Sequence, residues 1–360
     1  MAKAATTRPR PRPTERSARI SPGTVLKGLA RAILATGCVV LALGGAVIWF
    51  CAAMPGTSWR DPLPAATAQE GELARQLRQH VEAVARREHN LDYPEALDQS
   101  ANYIVATLRG YGYAVQPQEY EVETRRVRNL ETAITGPAGP DTADIIVGAH
   151  YDSAEGAPGA NDNGSGVAAT LELARRLRGF QPAPGRTLRF VLWVNEEPPY
   201  FQTEDMGSYV HARALSEAGH HVAAVLSLET LGYYSDQHGS QQYPPPFNRL
   251  YPNAGNFVAF VGALGSRALV RQAVGSFRRH ARFPSEGVAA PGFVEGVDWS
   301  DHWSYAQFGA PALMVTDTAP FRYPYYHTAQ DTPDQVDYLR LARVVEGLEG
   351  VIKDLASSAP

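Results

Sequence analysis

Six side chains in this chain stand out as able to act on one substrate together: His150, Asp162, Glu196, Glu197, Glu229 and His327. His150 lies in Gly148-Ala149-His150-Tyr151-Asp152-Ser153, directly after the apolar run Ile145-Ile146-Val147. A metal-ligating imidazole needs its second ring nitrogen held by an acceptor, and Asp152, two residues on, can orient His150 in this way. Alone, the pair is equally well read as a strand-end histidine bonded to a loop aspartate. Asp162 sits in Gly159-Ala160-Asn161-Asp162-Asn163-Gly164-Ser165-Gly166. Those glycines let the backbone present a carboxylate with little bulk around it, as a bridging ligand requires, although Asn163 or Ser165 could simply cap the helix that follows.

Glu196-Glu197 is followed at once by Pro198-Pro199, which halts regular pairing. Two adjacent carboxylates closing a buried strand are costly unless a cation or a proton neutralises them. One of them can ligate a metal while its neighbour takes the proton from an attacking water. Glu229, in Ser227-Leu228-Glu229-Thr230, and His327, in Tyr325-Tyr326-His327-Thr328-Ala329-Gln330-Asp331, complete the set. Carboxylates with two imidazoles suit zinc, and also cobalt or manganese. The chemistry implied is metal-dependent hydrolysis.

Residues so far apart must be gathered by a regular framework. Helical spacing places two helices early, through Leu73, Leu77, Val81 and Val84 and through Leu97, Ala101, Ile104, Val105 and Leu108. Extended segments follow at 114–123 and 127–135, and compact apolar runs at 145–147, 188–194 and 222–228 fit buried strands. An amphipathic helix starts near Val167, another carries Leu269, Val270 and Val274, and further strands fall at 256–262 and 312–316. This alternation predicts an α/β fold, a three-layer α/β/α sandwich around a central mixed, mostly parallel sheet. Ligands in such sheets gather at the carboxyl ends of strands, and the six residues all fall at or just beyond predicted strand ends.

With 360 residues, 44% apolar, the chain is long enough to bury one large core. Its first 31 residues differ from the rest: Lys3, Arg8, Arg10, Arg12, Arg16, Arg19, Lys27 and Arg31 face only Glu15, a net charge of +7. No charged residue occurs over 32–54, enough apolar chain to cross a bilayer. The positive-inside rule then predicts a basic cytoplasmic arm over 1–31, a single-pass transmembrane signal anchor over 32–54 and a periplasmic or extracellular catalytic domain. A cleaved signal peptide is the rival, with Ala52-Ala53 as a cleavage site. Residues 55–66 read as a Pro/Thr/Ala-rich linker and 67–360 as the catalytic domain. Cys38 and Cys51 both fall in the apolar run, so the exported domain carries no disulfide. Subtracting the arm's +7 from the whole-chain −4 leaves −11, which excludes nucleic acid as a partner.

The ordered motifs Gly-Ala-His-Tyr-Asp-Ser, Gly-Ala-Asn-Asp-Asn-Gly-Ser-Gly, Asn-Glu-Glu, Ser-Asp-His and Tyr-His-Thr carry a specific resemblance. From Leu130 to Tyr338 the sequence resembles the co-catalytic zinc aminopeptidases of metallopeptidase family 28, whose relatives include glutamate carboxypeptidases and glutaminyl cyclases. The resemblance implies two zinc ions per chain and peptide substrates. It implies that His150 and Glu229 bind one ion, Glu197 and His327 the other, and that Asp162 bridges them. Glu196 would be the general base and Asp152 would orient His150. Many relatives have aspartate in place of Glu229, so the first ion's geometry and identity are the open part of the assignment. Asp301, in Trp299-Ser300-Asp301-His302-Trp303, resembles a position that supports the catalytic carboxylates, unless it merely caps the next helix. The remaining histidines match no motif.

The rivals to a zinc exopeptidase, most naturally an aminopeptidase, are a single-zinc glutaminyl cyclase and a non-catalytic membrane-tethered binding domain. Tyr233, Tyr234, Phe201, Tyr323 and Tyr325 are candidates for a side-chain pocket, with simple packing as the alternative.

Overall fold

The computed structural model describes residue 4 and residues 22–245 and 247–358. The basic arm therefore lies outside the described residues except for residues 4 and 22–31. The chain divides into two compact units, one ending at Phe50 and one beginning at Cys51. The first is built on helix α1 (Pro22–Ala52), whose segment Ile33–Ala52 is the one helix among the described residues long and apolar enough to cross a membrane. An uncleaved anchor and a signal sequence share that property.

The second unit is organised by an eight-stranded sheet made of β1 (Gln116–Val122), β2 (Arg125–Thr135), β3 (Ala143–His150), β4 (Arg186–Trp193), β5 (Val222–Glu229), β6 (Val258–Ala263), β7 (Ser285–Ala290) and β8 (Ala312–Thr316). Its order is β1-β2-β4-β3-β5-β8-β6-β7. The central strands β4, β3, β5 and β8 run parallel, β2 and β6 flank them antiparallel, and β7 lies parallel to β6 at the edge. The sheet is thus mixed and mostly parallel, as expected.

Helices α2 (Ala68–Val84), α3 (Pro94–Gly110), α4 (Gly166–Leu177), α6 (Arg267–His280) and α8 (Tyr338–Ser357) form one outer layer. The shorter helices α5 (Gly207–Glu217) and α7 (His302–Gln307) pack against each other and form the other. Strand alternation sends Ile145, Val147, Leu188, Phe190 and Leu192 into the larger core and Ile146, Val191 and Trp193 into the smaller one, beside Ala212, Leu215 and Tyr305. Thr67 and Glu70 close a reciprocal capping box at the start of α2. The sequence reading places no strand at β7 and no helix at α8, and it expects the helix between the 188–194 and 222–228 strands, where α5 lies, without giving its bounds. Residues 55–66, read as a linker, are held by the folded unit: Arg278 donates to the carbonyls of Pro55 and Gly56, and Arg343 to that of Pro64.

Candidate metal centre

The parallel strands deliver the six residues to one end of the sheet. His150 is the last residue of β3, Glu229 the last of β5, and Glu196 and Glu197 follow β4. Asp162 lies in the turn between β3 and α4, and His327 in the loop after β8. The Nε2 atom of His150 is 3.3 Å from Asp162 Oδ1, 3.4 Å from Glu229 Oε2 and 3.7 Å from Glu196 Oε2. Nε2 of His327 is 3.0 Å from Asp162 Oδ2 and 3.3 Å from Glu197 Oε2. Asp162 thus turns one oxygen to each imidazole. Three groups of donors, each within 4.8 Å, result: His150 with Asp162 and Glu229, Asp162 with Glu197 and His327, and His150 with Glu196 and Glu197.

Backbone bonds fix these side chains. The Nδ1 atom of His150 lies 3.1 Å from the Asp152 carbonyl and 3.6 Å from its carboxylate. That carboxylate instead accepts the amides of Glu196 at 3.1 Å and Glu197 at 3.2 Å, pinning the acidic pair. Asp331, fully buried, accepts the amides of Asn161 at 2.8 Å and Asp162 at 3.1 Å and the Tyr323 hydroxyl at 2.7 Å. Asn161 accepts from the Gly232 amide and donates to Asp317, which also accepts from the Tyr233 amide. Asn163 accepts from the amides of Gly166 and Thr230, so it ties the turn to β5 as well as starting α4. Ser300 donates to Glu229 Oε2 at 2.7 Å and pairs with Ser227.

Burial opposes charge on all of these groups. It raises Glu196 well above the usual carboxylate range against the pull of His150, with Glu229 and Glu197 adding to it. Glu197 is pushed up to about 7 by burial and Asp162, and burial raises Glu229. Burial would raise Asp162 too, but the two imidazoles that face it bring it down. Burial would lower His150, yet Glu229 and Glu196 hold it well above normal, and Asp162 and Glu197 outweigh burial to raise His327 to about 10. Four carboxylates against two imidazoles leave surplus buried negative charge, which divalent cations would balance. His150 Nε2, Asp162 Oδ1 and Glu197 Oε1 are buried with no hydrogen-bond partner, and all three face the cluster. The donor set therefore fits zinc.

Comparison with known proteins shows the family. A model of Peptidase family M28 matches residues 129–351. The chain belongs to that family. This makes it a metallopeptidase-type hydrolase and places it among zinc aminopeptidase relatives. It is 38% identical over 301 residues to the uncharacterised protein YfbL of Escherichia coli (strain K12), covering 81% of this chain and 90% of YfbL. Its fold is shared with BSAP, a zinc aminopeptidase from Bacillus subtilis, at TM-score 0.62 and 14% identity over 79% of this chain and 95% of that one. A glutaminyl cyclase of Fimbriiglobus ruber has the fold too, at TM-score 0.55 and 19% identity, covering 84% and 99%.

Beside Glu229 this M28 peptidase has an apolar pocket of about 100 Å3, floored by Ala259, Val261, Met314 and Thr316. Its aromatic walls are Tyr243, Phe247, Tyr251, Phe257, Trp299, Phe321 and Tyr326. None of the five aromatics proposed from sequence lines it: Tyr233 packs on Tyr323, Tyr323 on Tyr325 and Tyr234 on Phe283. Asp301, wholly buried and pushed up to about 7 by burial, belongs to none of the three donor groups and makes no capping bond at α7. His302 donates to the Val297 carbonyl. Among the other histidines, His80 meets Glu172 and Tyr103, and His211 meets Glu131 and Tyr305. The residues that sequence reasoning missed are the positioning ones, Asn161, Ser300, Asp317 and Asp331. Asn161 and Ser300 stand inside the motifs and Asp331 four residues past His327, whereas Asp317 is marked only by closing the 312–316 strand.

Proposed function

We propose that the chain is a two-zinc aminopeptidase that removes large apolar residues from peptide N-termini. His150, Asp162 and Glu229 would hold one ion and Asp162, Glu197 and His327 the other. When bound, zinc supplies Lewis acidity to the scissile carbonyl and to the hydrolytic water. Glu196, in neither of these triplets, takes the water's proton and returns it to the leaving amine. Asp152 keeps Glu196 and Glu197 divided in role by holding both backbone amides. The negative charge of Asp301 acts on Glu196.

The observation that carries the choice of terminus is the pocket's chemistry. No Lys, Arg or His is among its described lining residues to hold a substrate carboxylate. Such a site favours a substrate's ammonium over its carboxylate. The test is chelator-sensitive release of amino acids from aminoacyl amides by the zinc-loaded chain. Release only from the carboxyl end of blocked peptides would overturn the reading. Two donor triplets sharing Asp162 support peptidase over cyclase chemistry. The 32–54 segment, most of it in α1, would anchor the enzyme as a single pass with its N-terminus cytoplasmic and residues 67–360 outside. Degradation of the domain by protease added to intact spheroplasts is the expected result, and protection would refute that orientation.

A further inference from the structure

The pocket lies along one row of the sheet. Register pairs Glu229 of β5 with Thr316 of β8, Thr316 with Ala259 of β6, and Ala259 with Glu286 of β7. All four line the pocket. Three strand spacings make this row about 14 Å long, with the metal donors at one end and the edge strand at the other. A methyl side chain entering beside Glu229 stays at the near end, whereas an aromatic one extends toward β7.

The edge strand is held from outside by the segment that follows Ala52. The Ser285 amide donates to Ser58 Oγ at 2.9 Å. Arg278 clasps both parts, donating to the carbonyls of Pro55 and Gly56 and, at 2.7 Å, to that of Ser285. The space where a Cβ on Gly287 would stand is filled by two side chains, Val274 of α6 at 2.7 Å and Met54 at 3.0 Å. On the pocket side, Tyr251 donates to the Gly287 carbonyl. β7 thus lies between Met54 and Val274 on one side and the pocket's aromatic wall on the other.

We infer that residues 54–58 are a specificity element: by bracing β7 they set the far wall of the pocket and so the reach of the N-terminal side chain it accepts. This rests on the aminopeptidase reading for the identity of the side chain. Edge strands that carry function need such bracing, because only one neighbour holds them by ladder bonds.

The test uses the full-length zinc-loaded chain in detergent, with Met54→Ala and Ser58→Ala compared with the unaltered protein. Calorimetry measures binding of the aminophosphonic analogues of alanine and phenylalanine, and KM and kcat are taken for the matching amides. Weaker binding of the phenylalanine analogue by about fourfold, the worth of one buried methylene, is expected for Met54→Ala, with KM rising alike and kcat unchanged. The alanine analogue should keep its affinity. Equal loss for both analogues, or no loss for either, overturns the proposal. If the unaltered chain prefers the phenylalanine analogue yet cleaves neither amide, the hydrolytic reading fails, and the binding difference between variants still decides the role of the segment.

Discussion

Replacing Asp331 by alanine should loosen the metal centre without touching a proposed ligand. The carboxylate is fully buried and accepts two backbone amides, from Asn161 and Asp162, that have no other partner within reach of the turn, together with the Tyr323 hydroxyl. The hydroxyl can rotate away, but the amides cannot. Each buried donor left unpaired costs roughly 2 kcal/mol, so the variant should lose about 4 kcal/mol. For the Cys51–Pro360 unit that is about 6 °C in melting temperature. Because the freed turn is the one that presents Asp162 to both imidazoles, zinc affinity should also fall about 10- to 100-fold. Competition with a chromogenic chelator reads the affinity, and scanning calorimetry in excess chelator reads the stability. Tyr323→Phe removes only the rotatable donor and should change either quantity little. The reasoning fails if Asp331→Ala melts earlier yet binds zinc as tightly as the unaltered chain, since the turn would then not depend on its amide clamp.

Three further outcomes follow from the site and its surroundings. Glu196→Ala should reduce turnover by about 10²- to 10⁴-fold while zinc per chain stays constant; loss of metal with surviving activity would remove Glu196 as the base. Elemental analysis should give two zinc ions per chain, and stripping them should lower the melting temperature and abolish hydrolysis, whereas one ion with pyroglutamate formed from N-terminal glutamine would point to a cyclase. His302 is pushed down to about 4 by burial, against an ordinary 6.5. Its neutral form therefore supports the fold fully above pH 6.5, and that support, on the order of 3 kcal/mol, is lost as pH falls toward 4. Denaturant titrations of His302→Gln should show a weaker decline over that window, and an unchanged decline would refute the assignment.

How far the fold could be read from sequence depended on burial. The strands at 145–147, 188–194, 222–228, 256–262 and 312–316 are legible because strands covered on both faces become continuous apolar runs. β7 is Ser285-Glu286-Gly287-Val288-Ala289-Ala290, an edge strand with an acid and a glycine in its middle, and no such run marks it. α8 is different: Leu341, Val344, Val345, Leu348, Val351, Ile352 and Leu355 form a helical stripe that the sequence reading does not use. The 55–66 segment looks like a linker because Pro, Thr and Ala dominate it. What holds it is mainly the carbonyls of Pro55, Gly56 and Pro64, with the Ser58 hydroxyl, and composition says nothing about backbone carbonyls.

The donor residues were legible for a related reason. Histidines and adjacent carboxylates at strand ends are scarce and costly to bury, so their types alone mark them. Their supports work through backbone amides from distant turns: Asp331 serves Asn161 and Asp162, Asn163 serves Thr230, and Asp317 serves Tyr233. Any sequence can supply an amide, so no pattern announces these pairings. Asp152 shows the limit within a single motif. Its spacing from His150 correctly marks an acceptor beside the imidazole, yet the nearer atom is its carbonyl, and its carboxylate is 3.1 and 3.2 Å from the amides that aim Glu196 and Glu197. Replacing that carboxylate would therefore disturb the proposed base and the second-ion ligand as well as the histidine it follows, a coupling between β3 and β4 that exists only once the parallel sheet has brought their ends together.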